Sequence, residues 1–201
     1  MQEVKGNKVM TSTESIPEVL AKRPQRSDAR RNYEKLIAVA RETFATDGVS
    51  ASLEEIARRA GVGIGTLYRH FPTRQDLLES VYADDVELVN RAAEEVADLP
   101  PWEALATWIQ QLVGYLSTKK ALAEAVNFQS ALFKSGRAAV HDSGEKILRR
   151  AQDAGAARPE VSFDDVLRLI HGVTLIETVE PGQRERILAM ALDGLRAQPG
   201  Q

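Results

Sequence analysis

Apolar residues recur every three or four positions from residue 27 almost to the end of the chain, and this spacing constrains the fold more than any other feature. An α-helix turns once in about 3.6 residues, so each such run gives a helix with one apolar face. No stretch alternates apolar and polar residues in the way that a half-buried strand does. The pattern therefore predicts an all-α protein of about nine helices.

Three helix starts are marked by a hydroxyl residue followed three positions later by an acidic one. The pairs are Ser52 with Glu55, Thr73 with Asp76, and Ser162 with Asp165. In this capping-box spacing the two side chains satisfy backbone N–H groups that the first helical turn leaves unpaired. We expect a helix to begin just after each hydroxyl residue.

Composition excludes several classes of protein. The chain has 201 residues and no cysteine, which excludes disulfide scaffolds, thiol catalysis and thiolate zinc sites. No apolar run approaches the roughly 18 residues that cross a bilayer, and the N-terminus lacks the apolar core of an export signal. These features predict a cytoplasmic protein without a membrane partner.

Candidate catalytic and metal-binding groups are few. His141 and His171 have no second ligand at the spacing of a metal-binding helix motif, because the adjacent Asp142 points about 100° away. We interpret both histidines as core or pocket residues. The glycines from Gly61 to Gly65 resemble a phosphate-binding loop, but such a loop follows a strand and these follow a helical pattern. We predict no catalytic residue, no metal and no cofactor.

Positive charge is concentrated in the first part of the chain. Residues 22–82 carry 11 basic and eight acidic side chains, whereas residues 83–201 carry 13 basic and 18 acidic ones. Residues 1–26 are polar and aperiodic, which predicts a mobile arm. The cations at its end and just after it are Lys22, Arg23, Arg26, Arg30 and Arg31. They either lie along DNA phosphates or belong to a solvated linker, and the sequence leaves both readings open.

The short helix predicted from Ile64 to His70 has the features of a groove-binding element. It follows the tight break Gly61-Val62-Gly63. Only Leu67, and Phe71 directly after the helix, form a buried face. Its outer face is polar and aromatic, with Thr66, Tyr68, Arg69 and His70. Such groups reach phosphates and base edges when the second helix of a helix-turn-helix enters the major groove.

Residues 36–81 resemble the DNA-binding domain of the TetR family of bacterial transcriptional regulators. The pattern G-V-x-x-G-T-L-Y-x-H-F-x-[TS]-[KR]-x-x-L-L is matched nearly throughout Gly61–Leu78. The resemblance implies a DNA-binding domain at 27–82, a ligand-binding and dimerisation domain at 83–197 and a tail at 198–201. The implied DNA-binding residues are Arg30, Ser52, Gly63, Ile64, Gly65, Thr66, Tyr68, Arg69, His70, Thr73 and Arg74.

One position departs from the family pattern. Many members carry a Ser-Lys pair where this chain has Gly63-Ile64, so a common backbone-contacting lysine is absent. We expect Ile64 to meet a thymine methyl group instead, as apolar side chains do in the major groove. The resemblance also implies that Arg74, at the start of the following helix, binds the phosphate backbone of the DNA.

The resemblance further implies a ligand cavity and a dimer interface in the C-terminal helices. Aromatic residues at helical spacing are as a rule core residues, but the family's helices enclose a cavity. We expect the cavity to be lined by Trp108, Leu112, Tyr115, Phe128, Leu132 and His171. The apolar stripes Phe163–Val173 and Ile187–Leu195 are expected to form a two-fold symmetric interface.

The function that follows is a ligand-responsive regulator of transcription. We expect a repressor that binds a pseudo-palindromic operator in double-stranded DNA as a homodimer and is released by a small-molecule effector. Two other classes remain open at this point: a DNA-binding or interaction module without an effector, and a small all-α enzyme.

Overall fold

The computed structural model describes residues 15–48, 50–121, 130–176 and 180–197, without the side chains of residues 117–121. Within these ranges the chain forms nine helices and no strand, which confirms the all-α prediction. The helices are α1 (Ile16–Ala21), α2 (Ser27–Asp47), α3 (Leu53–Arg59), α4 (Ile64–His70), α5 (Arg74–Glu95), α6 (Pro101–Ala121), α7 (Ala131–Asp153), α8 (Phe163–Leu175) and α9 (Gln183–Leu195).

The chain divides into two compact units. The first unit comprises residues up to 86 together with residues 118–137, and the second unit comprises residues 87–117 and 138–201. The sequence analysis placed the boundary after residue 82 and gave residues 118–137 to the C-terminal domain. The beginning of α7 instead packs in the first unit, where the ring of Phe133 stacks on that of Tyr82 with centroids 5.9 Å apart.

The helix α1 shows that the prediction of a mobile arm over residues 1–26 is wrong for residues 16–21. Ile16 and Val19 are buried in the first unit, and the Ile16 N–H donates a hydrogen bond of 2.9 Å to the Ser135 hydroxyl. Ser15 and Glu18 form a capping box at its start. Ile16 and Val19 alone do not form a recognisable apolar stripe in the sequence of so polar a segment. Residues 1–14 of the predicted arm lie outside the described residues.

The predicted helix starts are present, with one difference in chemistry. Ser162 and Asp165 form a complete capping box, and the Thr73 N–H and hydroxyl both donate to the Asp76 carboxylate. The Ser52 hydroxyl oxygen accepts from the Glu55 N–H at 3.2 Å. Glu55 does not return the bond, because its carboxylate pairs with Arg58 one turn further on.

Two glycines of α7 allow close packing of aromatic rings within their own units. A Cβ atom at Gly136 would lie 2.6 Å from the Tyr82 hydroxyl oxygen in the first unit, and one at Gly144 would overlap the Phe163 ring in the second unit. The helix runs without interruption through both positions. The close approach of Tyr82 explains the glycine at position 136.

The core of the second unit is built around Trp108. Its side chain is fully buried, and its indole N–H donates a hydrogen bond of 2.9 Å to the Val89 carbonyl oxygen. Helices α8 and α9 pack against each other. The C-terminal end of α9 is held by Arg196, whose guanidinium lies 4.9 Å from the centre of the Trp102 ring.

Candidate nucleic-acid interface

The turn before α4 is closed by backbone geometry that favours glycine. Gly61 has a φ of +69°, in the left-handed region that other L-residues rarely adopt. The Val62 N–H then reaches back to the Ala57 carbonyl oxygen at 3.0 Å and ends α3. Gly63 follows in an extended conformation as the N-cap of α4. This turn sets the direction in which α4 leaves α3.

The inner face of α4 is held by two buried side chains, as the sequence predicted. Leu67 and Phe71 are 0% and 1% exposed. The ring of Phe71 lies against that of Tyr33 from α2, with centroids 5.0 Å apart. Helix α4 packs on both α2 and α3, so this short helix has a fixed position in the first unit.

The outer face of α4 is open. Ile64 and Tyr68 are 38% and 44% exposed, although both carry large apolar groups. A Cβ atom at Gly63 or Gly65 would meet nothing within 4 Å, so the backbone at the start of the helix is accessible to a large partner. Arg69 is exposed and forms no ion pair with a described residue. Thr66 is half-buried at the edge of this surface.

His70 differs from the prediction that it faces outward together with Tyr68. It is half-buried, and its Nε2 atom is buried with no hydrogen-bond partner among the described residues. Its ring meets that of Tyr33 edge-on at 6.1 Å. Burial, aided by the charge of Arg69, lowers the pKa of His70 below its ordinary value. The last residue of α4 therefore turns towards the interior because α2 offers an aromatic surface there.

Three residues of the implied DNA-binding set hold helix starts in place. Arg74 donates a hydrogen bond of 2.6 Å to the Ala51 carbonyl oxygen, which ties the start of α5 to the residue before the N-cap of α3. Thr73 and Ser52 are the caps of those two helices. The structure thus brings Ser52, Thr73 and Arg74 into one neighbourhood.

The basic run before and within α2 is largely paired with carboxylates. Arg23 forms an ion pair with Asp84, and the Arg23 side chain is only 22% exposed. This contradicts the interpretation of Arg23 as part of a free arm, because a partner 61 residues away holds it. On α2 the implied DNA-binding residue Arg30 pairs with Glu34 at 2.8 Å, and both side chains are more than half exposed.

The six residues expected to line a ligand cavity do not all belong to one unit. Trp108, Leu112 and Tyr115 are buried on α6 in the second unit, and His171 is half-buried on α8. Leu132 is buried in the first unit, and Phe128 lies outside the described residues.

The aromatic residues that surround Trp108 were not among the cavity-lining residues predicted from the sequence. Phe163 lies 5.7 Å from the Trp108 ring and meets the His141 ring edge-on at 5.3 Å. Phe163 had been interpreted only as part of a dimerisation stripe, although it begins that stripe directly after the cap Ser162. Gly144, which admits the Phe163 ring, was the one sequence signal of this cluster.

The described residues contain neither a clustered set of metal ligands nor a membrane-spanning helix. No group of three or more His, Asp or Glu side chains there is placed to hold a metal ion. No helix in the same ranges combines the length and the apolar character needed to cross a membrane.

Comparison with protein families gives two matches. Residues 36–81 match the family described as bacterial regulatory proteins, tetR family. Residues 100–197 match the family described as transcriptional regulator SbtR-like, C-terminal domain. The first match contains α3, α4 and the open surface described above.

Solved structures and curated relatives agree with these matches. The chain is 33% identical to the TetR transcriptional regulator SCO0520 from Streptomyces coelicolor, with a TM-score of 0.72 over 83% of this chain and 99% of that one. It is 34% identical to a TetR transcription regulatory protein from Mycobacterium vanbaalenii, with a TM-score of 0.68 over 86% and 99%. An HTH-type transcriptional regulator from Staphylococcus aureus strain USA300 is 28% identical over 120 residues, which span 54% of this chain and 65% of that relative.

Proposed function

The chain belongs to the TetR family of bacterial transcriptional regulators and is a DNA-binding protein, and we propose that it is a homodimeric repressor released from a pseudo-palindromic operator by a small-molecule effector. Such a protein acts where the bacterial chromosome lies, in the cytoplasm. The repressor role, the effector and the homodimer are the proposed part, because family membership alone does not establish them.

The open face of α4 is the observation that carries the proposal. A short helix that exposes Ile64 and Tyr68 while it buries Leu67 has an outer surface suited to a partner. Glycines at its start leave the backbone accessible, and Arg69 supplies a positive charge without a carboxylate partner among the described residues. A major groove of about 12 Å width accepts a helix of this kind.

We assign two roles to the residues of this surface. Those at the start and outer face of α4 read base edges, and they are Gly63, Ile64, Gly65, Thr66 and Arg69. Those at its end and beyond it contact phosphates, and they are Tyr68, His70, Thr73 and Arg74, with Ser52 and Arg30 as further contacts. Backbone contacts position the protein, and base contacts select the sequence. The caps and the Arg74 bond support this division, because they rigidify the helix starts that face the phosphates.

Effector binding and dimerisation are assigned to the second unit. Trp108, Leu112 and Tyr115 are buried there, so an effector that enters among them has to shift α6 against its neighbours. An effector that binds one arrangement of these helices better than another shifts the population towards it. The exposed apolar residues Leu169, Leu175 and Met190 on α8 and α9 support a two-fold interface.

The test is selection of binding sites from random duplex DNA with the full-length protein, repeated with a library of metabolites. We expect enrichment of two symmetric half-sites separated by about one helical turn or a multiple of it. At least one metabolite fraction should reduce retention of that DNA. Failure to enrich a symmetric site would contradict the operator proposal. Enrichment that no metabolite changes would favour a regulator without an effector.

A further inference from the structure

A cavity of about 190 Å³ lies in the first unit, apart from the residues assigned to effector binding in the second unit. Of the residues assigned to DNA binding, only His70 is in its lining. Its walls come from α1, α2, the end of α4 and the first turns of α5. A cavity of about 150 Å³ is sufficient to hold a benzene molecule in a protein interior. The space in the first unit is therefore large enough for a small organic molecule.

The lining combines an apolar side with an acidic one. Val19, Pro72 and the Tyr33 ring supply apolar surface. Asp76 and Glu79 supply carboxylates, against the one ammonium group of Lys22. The pKa of Glu18 is lowered chiefly by hydrogen bonds from Ser15 and to a smaller extent by the charge of Lys22. Lys22 and Pro72 are exposed, so the cavity opens to solvent on their side.

Glu79 is the unusual group of this lining. It is only 8% exposed, and its carboxylate accepts a hydrogen bond of 2.7 Å from the neutral Gln75 amide. Among the described residues, no basic side chain lies within ion-pair distance of it. A buried carboxylate is costly unless a cation or several hydrogen bonds compensate it. The cavity beside Glu79 is where such a cation can lie.

His70 adds a second acceptor to the same lining. Its Nε2 atom is buried and finds no hydrogen-bond partner among the described residues. Burial lowers the pKa of His70 and so favours the neutral ring, and a neutral imidazole has one nitrogen that accepts. An ammonium group, which carries three N–H donors and no acceptor, complements a carboxylate and such a nitrogen.

We propose that this cavity is a binding site for a small organic cation with an apolar body, whose ammonium group pairs with Glu79 and whose body lies against Tyr33, Val19 and Pro72. The site is additional to the effector pocket assigned to the second unit. Since His70 ends α4, a bound cation contacts the helix that bears the DNA-binding surface. Binding itself does not depend on DNA or on a second ligand, so it is tested without either.

The experiment uses benzylammonium as the probe and benzyl alcohol, its neutral isostere, as the comparison. Each is titrated into the ¹⁵N-labelled full-length protein and followed by the amide and imidazole signals. We expect benzylammonium to saturate with a dissociation constant of about 1 mM, as fragments of this size do, and to shift the signals of Tyr33, His70 and Val19. Benzyl alcohol should bind at least about fivefold more weakly, because it brings no charge to Glu79.

Two matched variants locate the charge. Glu79→Gln keeps the shape and the acceptor for Gln75 but removes the charge, and we expect it to weaken benzylammonium binding at least about fivefold. Glu94→Gln, at an exposed position of α5, should leave the affinity unchanged. If Glu79→Gln does not fold, the comparison of benzylammonium with benzyl alcohol on the wild-type chain still tests the proposal. The proposal is overturned if benzylammonium does not saturate, if benzyl alcohol binds equally well, or if the shifts are confined to the second unit.

Discussion

Arg41 and Asp85 form an ion pair that joins the middle of α2 to α5 within the first unit. The Asp85 side chain is 5% exposed and the Arg41 side chain 27%, so the pair is shielded from water on the carboxylate side. Arg41 also binds Asp84, which in turn holds Arg23 before α2. Partial burial by itself lowers the pKa of Arg41, but the two carboxylates outweigh it and raise that pKa above its ordinary value.

Removing Arg41 is expected to destabilise the protein strongly. Arg41→Met leaves Asp85 buried next to an apolar side chain, and we expect the free energy of unfolding to fall by about 2 kcal/mol. Urea denaturation measures the change. The control is Arg149→Met, which breaks an exposed pair with Glu145 and should cost less than about 0.5 kcal/mol. Equal effects of the two substitutions would show that the Arg41 ion pairs stabilise the protein no more than the exposed pair does.

Close packing requires glycine at position 144, whereas a Cβ atom at position 114 has open space around it. A Cβ atom at Gly144 would overlap the buried Phe163 ring, so Gly144→Ala should destabilise by about 2 kcal/mol through overpacking. A Cβ atom at Gly114, in the interior of α6, would meet nothing within 4 Å, so Gly114→Ala should stabilise by about 0.5–1 kcal/mol. Thermal unfolding distinguishes opposite signs directly, and shifts of the same sign would contradict this account.

Base reading and phosphate binding should separate in two substitutions of the DNA-binding surface. Ile64→Ala is expected to change the preferred base at one half-site position without changing the salt dependence of binding. Arg74→Ala is expected to weaken binding to all sequences alike and to reduce the salt slope by about one per subunit. Competition binding over a salt series measures both. If Arg74→Ala changed the preferred sequence and left the salt slope unchanged, Arg74 would be a base contact and not a phosphate contact.

The proposed dimer interface is tested at the most exposed apolar residue of α8 and α9. Met190 on α9 is 73% exposed, so Met190→Asp should not disturb the fold of one subunit, whereas Leu192 is 9% exposed and serves the subunit's own core. We expect Met190→Asp to sediment as a monomer and to lose operator affinity. The matched control is Leu88→Asp, a 42% exposed residue of α5, which should remain dimeric. A wild-type chain that is monomeric at micromolar concentration would contradict the proposal outright.

The half-buried histidine of α4 makes stability depend on pH. The pKa of His70 is lowered in the folded state from 6.5. The unfolded chain therefore binds a proton at His70 more readily than the folded chain does. Stability should therefore fall as the pH drops from about 7.5 to 5.5. His70→Gln should remove that part of the loss, as measured by urea denaturation at both values. An identical pH dependence in the variant would show that other groups cause it.

The position of α4 and its buried face could be predicted because their signals are local. Leu67 and Phe71 are four residues apart on one helix face, and both are buried. The neighbouring caps Thr73 and Ser52 act on residues three positions away. The role of α1 could not be predicted, because Ile16 is buried beside a residue 119 positions further along the chain.

The sequence by itself determined that the chain is helical from α2 onward, and it determined the short exposed helix after the Gly61 turn, since periodicity, caps and turn glycines act within a few residues. Only the tertiary structure decided which charges are engaged and which polar groups are buried. Arg23 belongs to an ion network because Asp84 lies beside it, and His70 turns inward because α2 presents the Tyr33 ring. Burial and pairing depend on neighbours that come together only when the chain has folded, and no local pattern specifies them.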